Sequence, residues 1–571
     1  MSWLNRRLGI GLLLVVLLSA CGGQAPAAPA QPTSAPAAAE PTAAPAAEAT
    51  AAPEAPAAEP TEAAPVADAP QGGVARIAIQ TQPGSFNPVL PAELSASIVN
   101  AALFAPLTRM NSETFAIEPY LAKSWEASDD LKVWTFTLQE NAVWHDGQPI
   151  TAEDVKFTFE RILDPDEGAT NRRDLAGVES IEVIDEHTFK VTLKETDAFF
   201  ADRLSLGGLE PLPKHLLDGD APLSSYTDFN TTSPVGSGAF KMKQVVTGSS
   251  VELEAFDDFF FGRPKLDGLL FKVVADINQR VVQLRTGDLD WVDIEPVHIA
   301  QLEGQPNIEV INAASNRYQI MDWNHDATKW TFFVDPKVRQ AMYYAVDRDQ
   351  ILQAVAQGHG VVNDSYVPPT IAWIPPTGID QYKYDPEKAK ALLAEAGWTD
   401  TDGDGILDKD GEPFKFYILV DKGNVQREQI GLILQQFYKD IGMDVDYVVG
   451  ERGGRWIEET NQGTYPVRLA EYPIPHPVWL ERIFATGQAN NSRNSSNPEV
   501  DELFKQLSQT ADRDEQAAVI NKIDALLQAD PPSMVIFHRN QYTARNAALK
   551  NVPNGELKLS MSAAYQMYFE R

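Results

Sequence analysis

The densest group of potential metal ligands in the sequence is an acidic loop at 400–410. Its carboxylates fall at loop positions one, three, five and nine, at Asp400, Asp402, Asp404 and Asp408. Alternating oxygen donors, with Gly405 at position six for a sharp turn, suit Ca²⁺. The bidentate Glu expected at position twelve is replaced by Gly411. A solvated acidic hairpin is the alternative, because Asp-Gly steps favour turns. The loop predicts a structural calcium site or a metal-free hairpin, and no required cofactor.

Residues that would support covalent or metal-dependent catalysis are few. The chain has 1 cysteine and 8 histidines, which excludes a disulfide framework, an iron–sulfur cluster and a cysteine-based zinc site. The histidines show no H-E-x-x-H spacing, and Ser237 does not lie in the G-x-S-x-G pattern of a nucleophilic serine. We expect His145, beside an Asp-Gly step, to be a structural hydrogen-bonding residue. The sequence therefore favours a binding protein over an enzyme.

The overall charge excludes further classes of partner. Lys and Arg number 47 against 80 Asp and Glu, so the formal net charge of the 571 residues is -33. Such a field repels phosphate backbones and anionic lipid headgroups. Nucleic acid and a polybasic contact with a membrane surface are both excluded.

The N-terminal segment predicts export and a membrane anchor. Arg6 and Arg7 precede an apolar run at 8–18, which is too short for a bilayer core of about 30 Å and is typical of a signal peptide at 1–21. The residues LSAC at 18–21 resemble a bacterial lipobox, so we expect lipidation of Cys21, with an ordinary signal peptide as the alternative. Residues 22–71 are rich in Ala and Pro and predict a disordered tether. The protein is thus expected on the outer face of the cytoplasmic membrane, in a periplasm or at a cell surface.

Downstream of the tether, predicted strands and helices alternate. Alternating or continuous apolar residues predict strands at 74–79, 133–138, 189–193, 251–255, 414–420, 445–449 and 534–537. Capping residues and prolines predict helices that start after Thr151, Asp335, Asp385 and Asn497. Further helices are predicted at 426–441 and Arg513–Ala529. The fold class is therefore mixed α/β.

A resemblance to a known family rests on blocks that occur in a fixed order. They are PYLAKSW at 119–125, VWTFTL at 133–138, WHDGQPITAEDV at 144–155, PVGSGAF at 234–240, LRTGDLD at 284–290, DPKVRQAMYYAVDR at 335–348, YDPEKAKALLAEAGW at 384–398 and NPEVD at 497–501. Together they resemble the bacterial extracellular solute-binding proteins of family 5. Members of that family are the receptors of oligopeptide, dipeptide and nickel ABC importers.

The resemblance implies a bilobed fold of the periplasmic-binding-protein type II class, with an extra inserted subdomain. One lobe would comprise 73–320 and 535–571, with the insertion at about 116–232, and the other lobe 321–534. A monomer would enclose a peptide between the lobes by closing about a hinge, and then deliver it to the importer's permease subunits. A nickel chelate or an oligosaccharide is the alternative solute. A secreted hydrolase or a signalling receptor is the alternative class.

The resemblance also implies which residues hold the ligand. Six residues correspond to positions that line the family's cleft: Phe86, Asn87, Trp323, Asn324, Trp373 and Glu471. Peptide receptors of the family carry a Trp-x-x-Asp-Tyr-like segment whose aspartate binds the ligand's α-amino group. Here the segment VRLAEYPIPHP at 467–477 lacks that Trp, and Glu471 is the candidate acid. The alternatives are packing roles for both tryptophans and, for Glu471, an ion pair with Arg468 or solvation.

Overall fold

The computed structural model of the protein describes residues 72–111, 114, 116–374, 382–451, 453–488, 490–554 and 560–570. The predicted signal peptide, Cys21 and the tether lie outside the described residues. Within the described residues, no helix combines the length and the hydropathy that a membrane span requires.

Strands and helices alternate through the described chain. The strands are β1 (Val74–Ile79), β2 (Thr108–Met110), β3 (Ile117–Pro119), β4 (Ala122–Ala127), β5 (Val133–Leu138), β6 (Val178–Val183), β7 (Thr188–Leu193), β8 (Phe240–Val246), β9 (Ser250–Ala255), β10 (Gly268–Val273), β11 (Trp291–Ile294), β12 (Ile308–Trp323), β13 (Gly360–Val361), β14 (Asp408–Lys409), β15 (Glu412–Pro413), β16 (Lys415–Asp421), β17 (Asp444–Gly450), β18 (Val467–Pro473), β19 (Ser533–Asn546), β20 (Leu549–Lys550) and β21 (Tyr568–Phe569). The helices are α1 (Leu94–Leu103), α2 (Ala152–Leu163), α3 (Phe200–Arg203), α4 (Lys214–Leu217), α5 (Thr227–Thr231), α6 (Ile277–Thr286), α7 (Pro296–Leu302), α8 (Pro336–Tyr344), α9 (Arg348–Ala356), α10 (Pro386–Glu395), α11 (Val425–Asp440), α12 (Arg455–Gln462), α13 (Val478–Phe484), α14 (Pro498–Ser508) and α15 (Arg513–Ala529). The mixed α/β class predicted from the sequence is confirmed.

One eleven-stranded sheet organises the fold. Its order is β17-β16-β18-β12-β19-β11-β1-β10-β9-β8, and β13 pairs with β19 beside this path. β1 runs parallel to β10 and β11, and β16 runs parallel to β17 and β18. Parallel neighbours need a crossover connection, which α11 supplies between β16 and β17.

The two long strands β12 and β19 join the two halves of this sheet. They are antiparallel, and their register shifts between Ala314 and Tyr318, which marks a β-bulge. Beyond the bulge, β18 joins the other side of β12 from Arg317 onward, whereas β11 pairs with the opposite end of β19 at 542–545. The chain therefore crosses twice between the halves, close to the predicted lobe boundaries at 320 and 535. The division into lobes stays a prediction.

A separate four-stranded sheet lies within the segment predicted as the insertion. Its order is β4-β5-β7-β6, and its alternating residues bury one face, where the rings of Phe136 and Phe189 stack at 5.2 Å. α2 begins after Thr151, as predicted, and the side chains of Thr151 and Asp154 form a reciprocal cap there. The predicted strands at 133–138 and 189–193 are confirmed.

The buried apolar side chains form four clusters that segregate by sequence range. Two clusters draw on residues up to 302 and from 542 onward, and the other two draw on residues 318–537, with one exception. The exception is Phe199, which packs into the cluster of Tyr318 and Ile320. Nearby, Asp202 accepts a hydrogen bond from Arg513 Nη2 at 2.7 Å. The segment predicted as the insertion therefore contacts the segment predicted as the second lobe.

Local predictions agree with the structure to within a few residues, except at one strand. The side chains of Asp335, Asp385 and Asn497 each accept a backbone N–H in the first turn of their helices. The strand predicted at 534–537 is instead the middle of the 14-residue β19. The polar residues that follow Phe537 stay extended because β12 and β11 supply pairing partners, which a short apolar run does not reveal.

Candidate functional site

A cavity of about 400 Å³ lies between β18, the first turn of α11 and α12. Its lining residues are Arg427, Trp456, Ile457, Arg468, Ala470, Glu471 and Tyr472. The parallel strands β16 and β17 end at Asp421 and Gly450 and lead into these two helices. Ligands of α/β sheets commonly bind beyond the carboxyl ends of such strands. The cavity is therefore the candidate binding site.

The edge of β18 beside this cavity is only partly paired. On one side, β18 pairs with β12 from Val467 to Pro473. On the other side, the register with β16 includes only Val467 and Arg468. In the part of the chain that the structure describes, no strand continues this ladder along 470–473. Backbone hydrogen-bonding groups at such an edge can pair with an added extended chain.

Glu471, the predicted ligand-binding acid, lines the cavity but already has three protein partners. Its carboxylate accepts hydrogen bonds from Gln319 Nε2 at 2.8 Å, Arg539 Nη1 at 3.0 Å and Arg317 Nη1 at 3.3 Å. Burial alone would raise the pKa of Glu471, but Arg539, Arg317 and Arg427 outweigh it and hold that pKa below its ordinary value. The acid is therefore ionised and internally neutralised.

A second chain of polar contacts connects Glu471 with the start of α11. Arg427 donates to Asp421 Oδ1 at 2.8 Å and to Gln319 Oε1 at 3.4 Å, and Asp421 is fully buried at the end of β16. Gln319 thus bridges Arg427 and Glu471 from β12. Hydrogen bonds that involve charged groups hold side chains in a defined geometry, so this side of the cavity is preorganised.

Asp322 of β12, which lies opposite Arg468 in the register, forms the centre of a second buried cluster beside the cavity. Its carboxylate accepts hydrogen bonds from Arg468 Nη2 at 2.9 Å, Arg493 Nε at 3.1 Å and Ser533 Oγ at 2.6 Å. Burial would raise the pKa of Asp322, yet Arg493 and Arg468 lower it to about 2. The hydroxyl of Tyr472 also donates to Asp322, at 2.8 Å. Arg468, at the cavity wall, is therefore held by an ionised aspartate.

Glu471 does not form an ion pair with Arg468. The sequence left that ion pair open as an alternative role for Glu471, and this alternative is wrong. The two residues lie three apart on β18, so their side chains point to opposite faces of the strand. Arg468 lies opposite Asp322 in the register, whereas Glu471 lies opposite Gln319.

Phe86 and Asn87, predicted to line the cleft, are buried in the structure. Phe86 belongs to the first apolar cluster. Asn87 Nδ2 donates to Asn230 Oδ1 at 3.2 Å, and Asn87 Oδ1 accepts the backbone N–H of Val89 at 3.1 Å. These contacts support a packing role for both side chains, and their contact with ligand stays a prediction.

Trp323 and Asn324 are also fully buried, at the end of β12. The Trp323 ring lies edge-on to Tyr343 at 6.1 Å. Asn324 Nδ2 donates to the carbonyl oxygens of Tyr465 and Gly463 at 2.7 and 2.9 Å. Trp323 therefore packs in the core, which is the alternative that the sequence left open for it. Ligand contact by this pair stays a prediction.

Trp373 is half-buried and packs against the cluster that contains Ile374 and Val478. The guanidinium carbon of Arg513 lies 4.9 Å from the centroid of its ring, a distance typical of a cation–π contact. Trp373 does not line the cavity described above. Loop packing is its observed role, and a ligand role stays a prediction.

The acidic loop brings three of the four predicted calcium ligands together. Carboxylate oxygens of Asp400, Asp402 and Asp408 lie within 4.8 Å of one another. Asp400 also accepts backbone N–H groups of Gly403 and Gly405 at 2.7 and 3.0 Å. The side chain of Asp404 caps Ile406 N at 2.7 Å instead. These local hydrogen bonds suit the hairpin alternative as well, so the calcium site stays a prediction.

Glu471 is the one lining residue of the cavity that was predicted from the sequence. Arg427 and Trp456 were not predicted, because they lie on α11 and α12, which only the sheet order brings next to β18. Tyr472, which follows Glu471 on β18, was not singled out either. One signal was present: Arg427 falls in the first turn of a predicted helix between two predicted strands, where α/β proteins place ligand-binding residues.

The fold and the sequence resemble characterised proteins over most of the chain. The profile of bacterial extracellular solute-binding proteins, family 5 (middle part), matches residues 116–478. The oligopeptide-binding protein AppA of Bacillus subtilis is 31% identical over 489 residues, which cover 83% of this chain and 88% of that protein. The solved structure of AppA from Bacillus subtilis in complex with a nonapeptide has a TM-score of 0.74 at 28% identity, covering 88% of this chain and 100% of that chain. NikZ from Campylobacter jejuni in complex with Ni(L-His) has a TM-score of 0.73 at 26% identity, covering 86% of this chain and 99% of that chain.

The solved structures named above share the fold of this chain. The eleven-stranded sheet with two crossing strands and an inserted small sheet is the α/β, bilobed periplasmic-binding-protein fold of type II that was predicted. The chain belongs to the bacterial extracellular solute-binding proteins of family 5 and is the substrate-binding component of an ABC importer, acting outside the cytoplasm.

Proposed function

We propose that the protein captures peptides outside the cytoplasmic membrane and delivers them to the permease of an ABC importer. The observation that carries the peptide assignment is the edge of β18 at 470–473 beside the cavity, with which no strand among the described residues pairs. An extended peptide can add to such an edge through main-chain hydrogen bonds, which are independent of its side chains. AppA, the relative named above, is an oligopeptide-binding protein, which supports the same assignment.

The cavity suits an adaptable contact with one peptide residue. Trp456 and Tyr472 supply flat aromatic surfaces, and Ile457 and Ala470 supply apolar ones. Aromatic and apolar walls with a few fixed polar groups are typical of ligand pockets. The proposed mechanism is binding followed by closure of the two predicted lobes about β12 and β19. Ligand contacts present only in the closed state provide the free energy of closure.

A thermal unfolding experiment tests the peptide assignment. A mixture of tripeptides and longer peptides is expected to raise the unfolding temperature, because a ligand that binds only the folded state stabilises it. A mixture of free amino acids of the same composition is the control and is expected to have no effect. Mass spectrometry should recover the bound peptides uncleaved, and cleaved products would contradict a receptor role.

A pair of tryptophan variants locates the binding site. Trp456→Ala removes an aromatic wall of the cavity and is expected to weaken binding of the peptide mixture at least about tenfold. Trp330→Ala removes a partly buried ring that does not line the cavity, and should leave the affinity unchanged. Equal losses in both variants would contradict the placement of the site.

The proposal also includes a lipid anchor at Cys21 and delivery to permease subunits. Two or three acyl chains suffice for stable anchoring. In cells, the wild-type protein is expected in the membrane fraction, carrying labelled fatty acid, and Cys21→Ser is expected to lose the label. Uptake of a labelled peptide should depend on the gene for this protein. Label that persists in Cys21→Ser would contradict the anchor.

A nickel chelate is the second candidate solute, because NikZ was solved with Ni(L-His). None of the described residues that line the cavity is a histidine or a cysteine, so a nickel ion would have to arrive within its chelator. Ni²⁺ with excess L-histidine, added in place of peptides, separates the two candidates by the same thermal measurement.

A further inference from the structure

The β-bulge in β12 lies where the two crossing strands pass from one half of the sheet to the other. Before the bulge Ala314 pairs with Asn540, and after it Tyr318 pairs with His538. Three residues of β12 are therefore opposite Arg539 alone. In the described chain, β11 pairs with β19 only before the bulge, and β18 pairs with β12 only from the bulge onward. Because a bulge interrupts the ladder and bends the strand, we expect a change in the angle between the halves to occur here.

Glu471 of β18 contacts both crossing strands at this bulge. Its carboxylate accepts a hydrogen bond from Nη1 of Arg317, inside the bulge, at 3.3 Å, and from Nη1 of Arg539, opposite the bulge, at 3.0 Å. The Glu471 side chain is only 11% exposed, and ion pairs that are largely buried are screened less by salt than those at an open surface. We name Glu471, Arg317 and Arg539 the clamp, because one acid joins β12 and β19 to β18.

The bulge also contains buried polar groups. The hydroxyl oxygen of Ser315 accepts the backbone N–H of Arg317 at 3.1 Å, and the carbonyl oxygen of Asn316 accepts the backbone N–H of Ile474 at 2.8 Å. The side-chain oxygen of Asn316 is buried and has no hydrogen-bond partner among the described residues. An unsatisfied buried acceptor costs free energy. The shape of the bulge is therefore not fully stabilised from within, and the clamp adds contacts from outside.

The clamp also borders the candidate binding site, because Glu471 lines the cavity. It is formed in a structure in which the segment predicted as the insertion touches the segment predicted as the second lobe. There the backbone N–H of Ala198 donates to the carbonyl oxygen of Ser508 at 2.8 Å. One residue thus lies against a solute in the cavity and also joins the two strands that cross between the halves. Such an arrangement can make ligand binding and lobe orientation depend on each other.

We propose that Glu471 is a positioning residue that couples the cavity to the angle between the lobes, by holding Arg317 and Arg539 together at the bulge in the closed state. The assignment rests on the binding and closure proposed above and requires no contact between Glu471 and the ligand. Without the clamp the closed state loses two ion pairs, so a smaller fraction of the ligand-free protein is closed. The apparent dissociation constant rises in inverse proportion to that fraction.

Two spin labels measure the angle between the lobes in the absence of ligand. In the full chain with Cys21→Ser, they are attached at Glu195→Cys, near the end of β7, and at Glu502→Cys in α14, positions whose native side chains are 92% and 75% exposed. Double electron–electron resonance gives the populations of short and long distances between the labels. Glu471→Gln is expected to raise the ratio of long to short distances at least threefold. An unchanged ratio would overturn the proposal.

Matched variants on the same two strands separate the clamp from the general loss of an ion pair. Glu309 of β12 pairs with Arg545 of β19 at 3.0 Å, away from the bulge, so Glu309→Gln should leave the label distances unchanged. Arg539→Gln should reproduce the shift seen in Glu471→Gln, and Arg539→Lys, which keeps the charge, should show a smaller one. Near-ultraviolet circular dichroism verifies that each variant is folded. Equal shifts in Glu309→Gln and Glu471→Gln would reject a role specific to the bulge.

Peptide binding distinguishes this role from direct ligand contact. If Glu471 acts through the lobe angle, Glu471→Gln should lower the affinity for the peptide mixture by the same factor as the closed fraction, and saturating peptide should restore the short distance. A loss of affinity with an unchanged ligand-free distance distribution would instead assign Glu471 to ligand contact. If no peptide binds to the wild-type protein, the peptide function is rejected, whereas the ligand-free distances in Glu471→Gln still decide whether the clamp exists.

Discussion

Arg482 donates a hydrogen bond to Asp174, and both side chains are buried although 308 residues separate them in the sequence. Asp174 belongs to the segment predicted as the insertion, and Arg482 belongs to α13 in the segment predicted as the second lobe. Together with the contacts of Asp202 and Phe199, this ion pair joins two segments that each have their own apolar packing.

We expect Asp174→Asn to destabilise the protein by about 3–5 kcal/mol, because it leaves a buried guanidinium without its counter-charge. Urea unfolding measures the change. The double variant Asp174→Asn with Arg482→Met should recover part of the loss, since it also removes the unpaired charge. Glu140→Gln, at the exposed pair with Lys123, is the control and should not shift the midpoint. A loss in the control equal to that of Asp174→Asn would contradict the argument.

We expect the free energy of unfolding to fall in mild acid because His145 is buried in its neutral form. Its Nδ1 accepts the backbone N–H of Gly236 at 3.1 Å, and its Nε2 lies 3.0 Å from the carbonyl oxygen of Gly238, so the ring is held neutral. Burial lowers the pKa of His145 to about 4 from an ordinary value of 6.5. As the pH falls, His145 takes up a proton in the unfolded state at a higher pH than in the folded state. The contribution of neutral His145 to the free energy of unfolding is therefore complete above pH 6.5 and is lost as the pH falls towards 4.

For this residue alone the loss should reach up to about 3 kcal/mol. Urea unfolding at pH 7 and pH 4.5 measures it. His145→Gln is expected to be less stable at pH 7 and to show a smaller drop between the two pH values. An unchanged drop in this variant would assign the acid sensitivity to other buried histidines, such as His538, whose pKa burial also lowers to about 4.

Gly236 should not tolerate a side chain. A Cβ atom at this position would lie 2.0 Å from the carbonyl oxygen of Leu103, which is backbone at the end of α1. We expect Gly236→Ala to cost about 3 kcal/mol or more through the backbone shift that it forces. At Gly177, a Cβ atom would meet no heavy atom within 4 Å, so Gly177→Ala should change stability by less than about 1 kcal/mol. Equal unfolding midpoints for the two variants would contradict the steric argument.

We expect the acidic loop at 400–410 to bind Ca²⁺. Millimolar Ca²⁺ is expected to raise the unfolding temperature, because carboxylate oxygens of Asp400, Asp402 and Asp408 already lie within 4.8 Å of one another. Asp402→Ala should abolish the rise, and Mg²⁺ at the same concentration serves as the control for ionic strength. A rise that persists in Asp402→Ala, or no rise in the wild-type protein, would leave the loop as a hydrogen-bonded hairpin.

Local structure was predictable where neighbouring residues decide it. The cap formed by Thr151 and Asp154, the Pro-initiated helix after Asp335 and the alternation in β5 depend on contacts within a few residues, so their patterns identified the elements. The full length of β19 was not predictable. Its polar half is extended only because β11 and β12 pair with it from distant parts of the chain.

Some features of the candidate site were also predictable from the sequence, whereas others depend on residues that are distant in the chain. The family and the α/β class were predictable from ordered blocks and local patterns, and the same blocks suggested Glu471, which lines the cavity. The partners that neutralise the charge of Glu471 were not predictable, because they depend on the tertiary structure. Strand pairing places Gln319 opposite Glu471 and Asp322 opposite Arg468, and β19 and the β12 bulge bring Arg539 and Arg317 to the same carboxylate. The electrostatic balance of a cavity is a sum over side chains close in space, and their distances are set by the sheet order and not by their spacing in the sequence.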